Sequence, residues 1–250
     1  QFALASQAAK RLNLNVQGIN QVWHAWNESH AHRPLVLLHG GSGSWTHWFK
    51  NVLPLSQTRS VWALDIPGFG DSDSESPNPG MSRAQTLLGD SDLPPGAQDV
   101  DDLIEPVADG LQQLFGQTLV DVAGFSFGGM LAGLMASQYP NRFETVLMLG
   151  TPGLGLFNGP PPHIRGFTQD MTHDQRMDVH RHNLRSFMLK HDHSVTPEAL
   201  DVQASNVLRD RLKRRRLART DAVVKAHFNW TRPTHFAFGD SDQLYPDRLQ

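Results

Sequence analysis

Gly124-Phe125-Ser126-Phe127-Gly128, followed by Gly129, sets a serine between glycines at G-x-S-x-G spacing. That spacing suits a hydroxyl held on a sharp strand-to-helix turn, where bulky neighbours would collide. The turn lifts the Ser126 hydroxyl to the top of a sheet, where it can attack a carbonyl. The amide of Phe127, at a helix amino terminus, points to where negative charge would develop. A second glycine-rich stretch, His39-Gly40-Gly41-Ser42-Gly43-Ser44-Trp45, follows an apolar run. Its backbone can approach a ligand closely. The amide of Gly41, with that of Ser42 as second choice, would pair with Phe127 as an oxyanion hole. The competing readings are a plain tight turn with a structural serine and a phosphate-binding loop. Neither the P-loop nor the dinucleotide-binding glycine pattern is present.

These groups need a scaffold. Pro34–His39 is a continuous apolar run ending at glycines, which suits a strand buried on both faces of a parallel sheet. Ser60–Asp65, Thr118–Ala123, Thr145–Leu149 and Thr234–Phe238 read the same way, each ending at a Gly or Pro turn. Val100–Phe115 carries apolar residues near a 3.6-residue period, and Phe127–Tyr139 is a small-residue helix stopping before Pro140. Strands alternating with helices predict an α/β fold with a doubly wound, mostly parallel sheet. Two stretches break the alternation. Ser72–Gln98 reads as a long irregular excursion, rich in Pro, Gly, Ser and Asp. Gly153–Asn229 reads as an inserted helical cap, with Pro160-Pro161-Pro162 near its start. Helices are expected there around Thr168–Lys190, Pro197–Leu208 and Arg209–Ala222. The core would then comprise residues 1–152 and 230–250, and the cap residues 153–229.

In their order, His39-Gly40-Gly41, Asp65-Ile66-Pro67-Gly68-Phe69-Gly70-Asp71-Ser72 and Gly124-Phe125-Ser126-Phe127-Gly128 resemble the α/β-hydrolase superfamily, in its capped members. Gly239-Asp240-Ser241-Asp242, followed by Pro246, looks like that family's acid turn. The resemblance spans about residues 14 to 250. It implies a triad in the order Ser, acid, His. By family spacing the acid is Asp242, with Asp240 as the alternative. It also implies that His39 shapes its loop rather than serving as base, and that Asp65 belongs to a structural turn. No histidine follows Asp242. The chain is therefore expected to stop before the triad histidine. It begins at Gln1 rather than Met and ends soon after a strand pattern, so both ends are expected to be cut.

Composition narrows the chemistry further. There are no cysteines, which excludes disulfide scaffolds, thiolate metal sites and cysteine nucleophiles. It also suits a reducing compartment, so the expected location is cytoplasmic. A net charge of −3 gives no general reason to expect nucleic acid or an anionic membrane as partner. No apolar run reaches the roughly 18 residues of a membrane span. His163, His173, His180, His182, His191 and His193 read as solvated residues of the cap. The H-x-H pairs His180/His182 and His191/His193 would need further ligands in convergent geometry to make a metal site. The basic run from Arg209 to Arg219 reads as the charged outer face of a cap helix, over a stripe of Leu208, Leu212 and Leu217. Trp45, Trp48 and Phe49 suit either a pocket lining or helix packing.

The expected activity is hydrolysis of an ester, or a related acyl or carbon–carbon bond, in a small hydrophobic substrate. Ser126 and Asp242 are the catalytic candidates, Gly41 and Phe127 the oxyanion donors, and neither metal nor organic cofactor is implied. Serine at position 126, where an aspartate would suggest a dehalogenase or epoxide hydrolase, disfavours those classes. The rival expectations are a non-catalytic ligand-binding member of the fold and a cofactor-free haloperoxidase-type perhydrolase.

Overall fold

The computed structural model describes residues 1–73, 100–156, 163–212 and 216–245. Most of the expected excursion at Ser72–Gln98, the Pro160-Pro161-Pro162 run, Lys213 to Arg215 and Pro246 lie outside the described residues.

Helix α1 (Phe2–Ala8) leads into a hairpin, β1 (Lys10–Val16) and β2 (Ile19–Trp26). Gln17 and Gly18 join the two strands with φ of 53° and 83°. Positive φ at both central residues matches the twist of flanking antiparallel strands. Strands β3 (Leu35–Leu38), β4 (Val61–Asp65), β5 (Val120–Phe125), β6 (Phe143–Leu149) and β7 (Thr234–Ala237) follow. The sheet has seven strands in the order β1-β2-β4-β3-β5-β6-β7. The hairpin is antiparallel to itself and to β4, and all other pairs are parallel. The fold is therefore α/β with a mostly parallel sheet. Every residue of β3 and β4 is buried, as expected for strands covered on both faces.

The two faces of the sheet own separate cores. Val36, Leu38, Leu64 and Trp23 pack with α3 (Ile104–Phe115) and α4 (Phe127–Gln138). Leu35, Leu37, Val61 and Ala63 pack on the other side with Trp26, Trp45, Trp48, Phe49 and Val52, the last from α2 (Val52–Ser56). Trp45, Trp48 and Phe49 thus serve packing, with the Trp45 ring stacked 5.7 Å from Phe2.

Helix α4 is buried at every residue from Phe127 to Ala136, which is why its sequence has no polar face. It also lies unusually close to the sheet. A Cβ at Gly128 would fall 2.3 Å from the Leu38 carbonyl oxygen, and one at Gly124 would fall 2.2 Å from that of Gly128. Only glycine permits this approach.

Between β6 and β7 lie α5 (His173–Phe187), α6 (Pro197–Leu208) and α7 (Ala222–Ala226). Thr172 and Gln175 form a reciprocal capping box that starts α5 later than the expected Thr168. Thr196 caps α6, and Pro197 opens it. Of the expected helix over Arg209–Ala222, residues 209–212 are not helical. The amide of Arg211 donates to the Gly68 carbonyl at 2.8 Å, and Leu212 packs against Gly68, so the chain leaves helical geometry to bind the core. Among the described residues, a 3-10 turn at Arg216–Arg219 and the short α7 come next. The start of the basic run is correspondingly not an outer helix face: Arg211 donates to the carbonyls of Phe69, Gly70 and Ser72. Arg209 pairs with Asp71 at 2.8 Å. Of the expected leucine stripe, Leu212 and Leu217 are buried but Leu208 is 84% exposed.

Candidate active site

Ser126 sits between β5 and α4 with φ of 51° and ψ of −115°. Such a conformation in a non-glycine residue costs about 1–3 kcal/mol and persists only where its surroundings enforce it. Its amide donates to the Leu149 carbonyl at 2.7 Å, and its own carbonyl accepts from Met130 at 3.1 Å, the first helical bond of α4. The corner is thereby tied to β6 on one side and to the helix on the other. Ser126 is half-buried, so it lies at the edge of the core rather than inside it. The amide of Phe127 is among the first N–H groups of α4, which have no intrahelical partner.

The glycine-rich loop after β3 lies against this corner. A Cβ at Gly40 would stand 2.8 Å from the Phe125 ring and 3.3 Å from Ser126 Cβ. Gly40 N–H donates to His47 Nδ1 at 3.2 Å, which takes that amide out of service as an oxyanion donor. Gly41 and Ser42 come next, with Ser42 in the left-handed region at φ of 51°. Burial lowers the His47 pKa to about 4, so its Nδ1 stays an acceptor at neutral pH. His39 uses both ring nitrogens. Its Nε2 accepts from the Ile66 amide at 2.9 Å, and its Nδ1 lies 2.7 Å from the Gly40 carbonyl. That bridge couples the loop to the Asp65–Ser72 turn.

Asp65 organises the turn. Its carboxylate accepts from the Trp45 amide at 2.8 Å and the Asp71 amide at 3.0 Å. Burial pushes its pKa up to about 6, against the pull of those two donors. His24 Nε2 approaches Asp65 at 4.0 Å, but burial, with Arg11 adding to it, lowers the His24 pKa to about 4. At neutral pH the contact is therefore not an ion pair. Ser72 closes the turn, accepting from Val22 N–H and donating to the Asp65 carbonyl.

The two acid candidates part company. Asp240 is exposed, and its carboxylate accepts only a local bond from Ser241 at 3.1 Å among the described contacts. Asp242 is half-buried: Oδ1 accepts from the Leu244 amide at 2.9 Å, and Oδ2 lies 3.2 Å from where a Cβ on Gly150 would be. Gly150 directly follows Leu149, whose carbonyl holds the Ser126 amide. The structure thus brings Ser126, the Gly40–Ser42 loop and Asp242 to the same end of the sheet.

The β6–β7 segment supplies groups that motif reading did not find. Asn206, fully buried, donates to Thr46 Oγ1 at 2.9 Å and accepts from Ser44 Oγ at 2.8 Å. Asp210 accepts from Ser42 Oγ. Lys190 donates to Ser241 Oγ at 2.6 Å, touching the acid turn. No sequence signal marked these residues, because they lie more than 100 positions from their partners or outside any motif. Two histidine expectations also need amendment. His180 is buried beside Phe167, with ring centroids 4.7 Å apart, rather than solvated. His182 faces His163 rather than His180. Among the described residues, no group of three or more His, Asp or Glu side chains could hold a metal ion. No described helix is long and apolar enough to cross a membrane.

The sequence pattern of the α/β-hydrolase fold matches residues 33–178, more than half of the chain, and the protein belongs to that family. The chain is 24% identical over 212 residues to a 2-hydroxy-6-oxo-6-phenylhexa-2,4-dienoate hydrolase of Burkholderia cepacia, covering 82% of this chain and 67% of that protein. It is 30% identical over 143 residues to the abhydrolase domain-containing protein abhd-5.2 of Caenorhabditis elegans, covering 57% of this chain and 27% of that one. The chain thus spans between about a quarter and two thirds of the length of these relatives. Among solved structures, a meta-cleavage product hydrolase variant superposes with a TM-score of 0.65 at 19% identity, over 95% of this chain and 83% of that one. The Cif epoxide hydrolase of Acinetobacter nosocomialis superposes with a TM-score of 0.62 at 12% identity, over 100% and 84%. These two likenesses concern the fold.

Proposed function

We propose that this protein is a serine hydrolase that cleaves an ester, or a related acyl or carbon–carbon bond, in a small hydrophobic substrate. One observation carries the reading: a half-buried serine on an enforced positive-φ corner, in contact range of the glycine-rich loop after β3. Ser126 Oγ attacks the substrate carbonyl. The amides of Phe127 and Gly41 receive the oxyanion, and Asp242 orients the imidazole that family chain order places beyond it. That imidazole takes the serine proton and returns it to the leaving group. Residues 153–229 serve as the cap and shape the pocket. Several relatives are hydrolases of 2-hydroxy-6-oxo-dienoates, which supports including carbon–carbon substrates in the test.

The test uses protein expressed from its full reading frame. A fluorophosphonate probe is expected to label wild type and not Ser126→Ala. Turnover is assayed with p-nitrophenyl esters and a 2-hydroxy-6-oxohexa-2,4-dienoate. Equal labelling of both proteins refutes the nucleophile, and ligand binding without label or turnover refutes the enzyme.

A further inference from the structure

Loop residues 40–46 are fixed from several directions. His47 holds the Gly40 amide, Asn206 and Thr46 hold Ser44, and Asp65 holds the Trp45 amide. The tip of the loop, Gly41 to Gly43, lies between these anchors. There the Ser42 hydroxyl donates to Asp210 Oδ2 at 2.5 Å. Asp210 comes from the segment just after α6, 168 residues away in sequence. Ser42 is also one of four non-glycine residues with positive φ among the described residues, so its backbone needs outside support.

We propose that Asp210 is a positioning residue for the oxyanion hole: by accepting from Ser42 it fixes the loop tip that presents the Gly41 and Ser42 amides. This rests on the serine-hydrolase reading above. A hydroxyl-to-carboxylate bond is stronger and more directional than a neutral one, so it suits an anchor for a left-handed residue. It also commits the Ser42 hydroxyl to Asp210 rather than to substrate. The neighbouring Asn206 pins the base of the same loop from the same segment. The cap is then part of the catalytic apparatus and not only its roof. Two loops that sequence motifs present as independent are set by one stretch of chain, since Arg209 and Arg211 grip the Asp65–Ser72 turn beside them.

Misplacing a catalytic group by about 1 Å costs on the order of 10²-fold in rate. The Asp210→Ala variant is therefore expected to lose roughly 10- to 100-fold in kcat on an ester substrate, with KM changed less than about threefold. Asp210→Asn keeps an acceptor for the Ser42 hydroxyl and is expected to restore most of the rate. Ser42→Ala combined with Asp210→Ala is expected to be little worse than either alone. A residue that only supported folding would lower Tm in Asp210→Ala and leave the kcat of the folded enzyme unchanged, which overturns the proposal. Equal losses in the Asn and Ala variants overturn it too. A second measurement does not depend on turnover: amide hydrogen exchange at Gly41–Gly43 is expected to accelerate at least tenfold in Asp210→Ala and to stay near wild type in Asp210→Asn. Unchanged exchange overturns the positioning role. Failure of wild type to react with the fluorophosphonate overturns the hydrolase reading instead.

Discussion

At Gly40 the missing side chain is what lets the loop reach the serine. A Cβ there would press on the Phe125 ring at 2.8 Å and on Ser126 Cβ at 3.3 Å. Gly40→Ala is expected to shift the loop and lower kcat/KM by about 10²-fold, the cost of losing one oxyanion donor, while Tm falls by only a few degrees. Steady-state kinetics beside thermal unfolding separates the two effects. The acid can be settled in the same assay. Asp242→Asn is expected to reduce kcat by up to about 10⁴-fold, as when a triad carboxylate is neutralised. Asp240→Asn, at an exposed residue bonded among the described contacts to Ser241, is expected to stay within about twofold of wild type, a surface substitution away from the chemistry. At this scale the motifs spoke clearly where spacing itself is the mechanism, as at Ser126 and its flanking glycines. They were silent on His47 and Asp210, whose positions matter through contacts that spacing does not encode.

Among the elements, the strands with continuous apolar runs were legible because burial on both faces leaves no polar alternation. The hairpin of β1 and β2 went unread for the opposite reason. Leu12, Leu14 and Val16 alternate with polar residues, and the signal lies in that alternation together with the Gln17-Gly18 turn. The stretch after α6 misled because its leucines and arginines keep helical spacing. Tertiary bonds won there: the Arg211 guanidinium satisfies three carbonyls of the Asp65–Ser72 turn. Arg211→Ala leaves those acceptors without it. It is expected to cost about 1–3 kcal/mol, read as a drop in urea midpoint at unchanged m-value.

For the molecule as a whole, histidines whose pKa burial lowers set the response to acid. His24 and His47 are both lowered from 6.5 to about 4 by burial. Their neutral forms favour the fold fully above about 6.5, and that contribution is lost as pH falls toward 4. Asp65 acts with the opposite sign. Its pKa is raised from 3.8 to about 6, so its burdened carboxylate is relieved as pH falls through that range. His180, also lowered by burial, acts with His24 and His47, so these histidines outweigh Asp65 and stability is expected to decline between pH 6.5 and 4. His47→Gln keeps an acceptor for the Gly40 amide and removes one titration, so its Tm is expected to vary less over that interval. An equally steep decline in the variant would contradict the assignment to His47.

The grip of Asn206 and Asp210 on residues 42–46 also bears on the order in which the protein comes apart. These bonds close loops of 160 to 168 residues. Contacts so distant along the chain are assembled late, after nearer pairings have formed. The loop tip is held by these side-chain bonds rather than by sheet pairing, so it can open without unfolding the strands. In mild urea, turnover should therefore vanish while the far-ultraviolet circular dichroism of the sheet is still intact. Such a protein would be inactivated well before it is denatured.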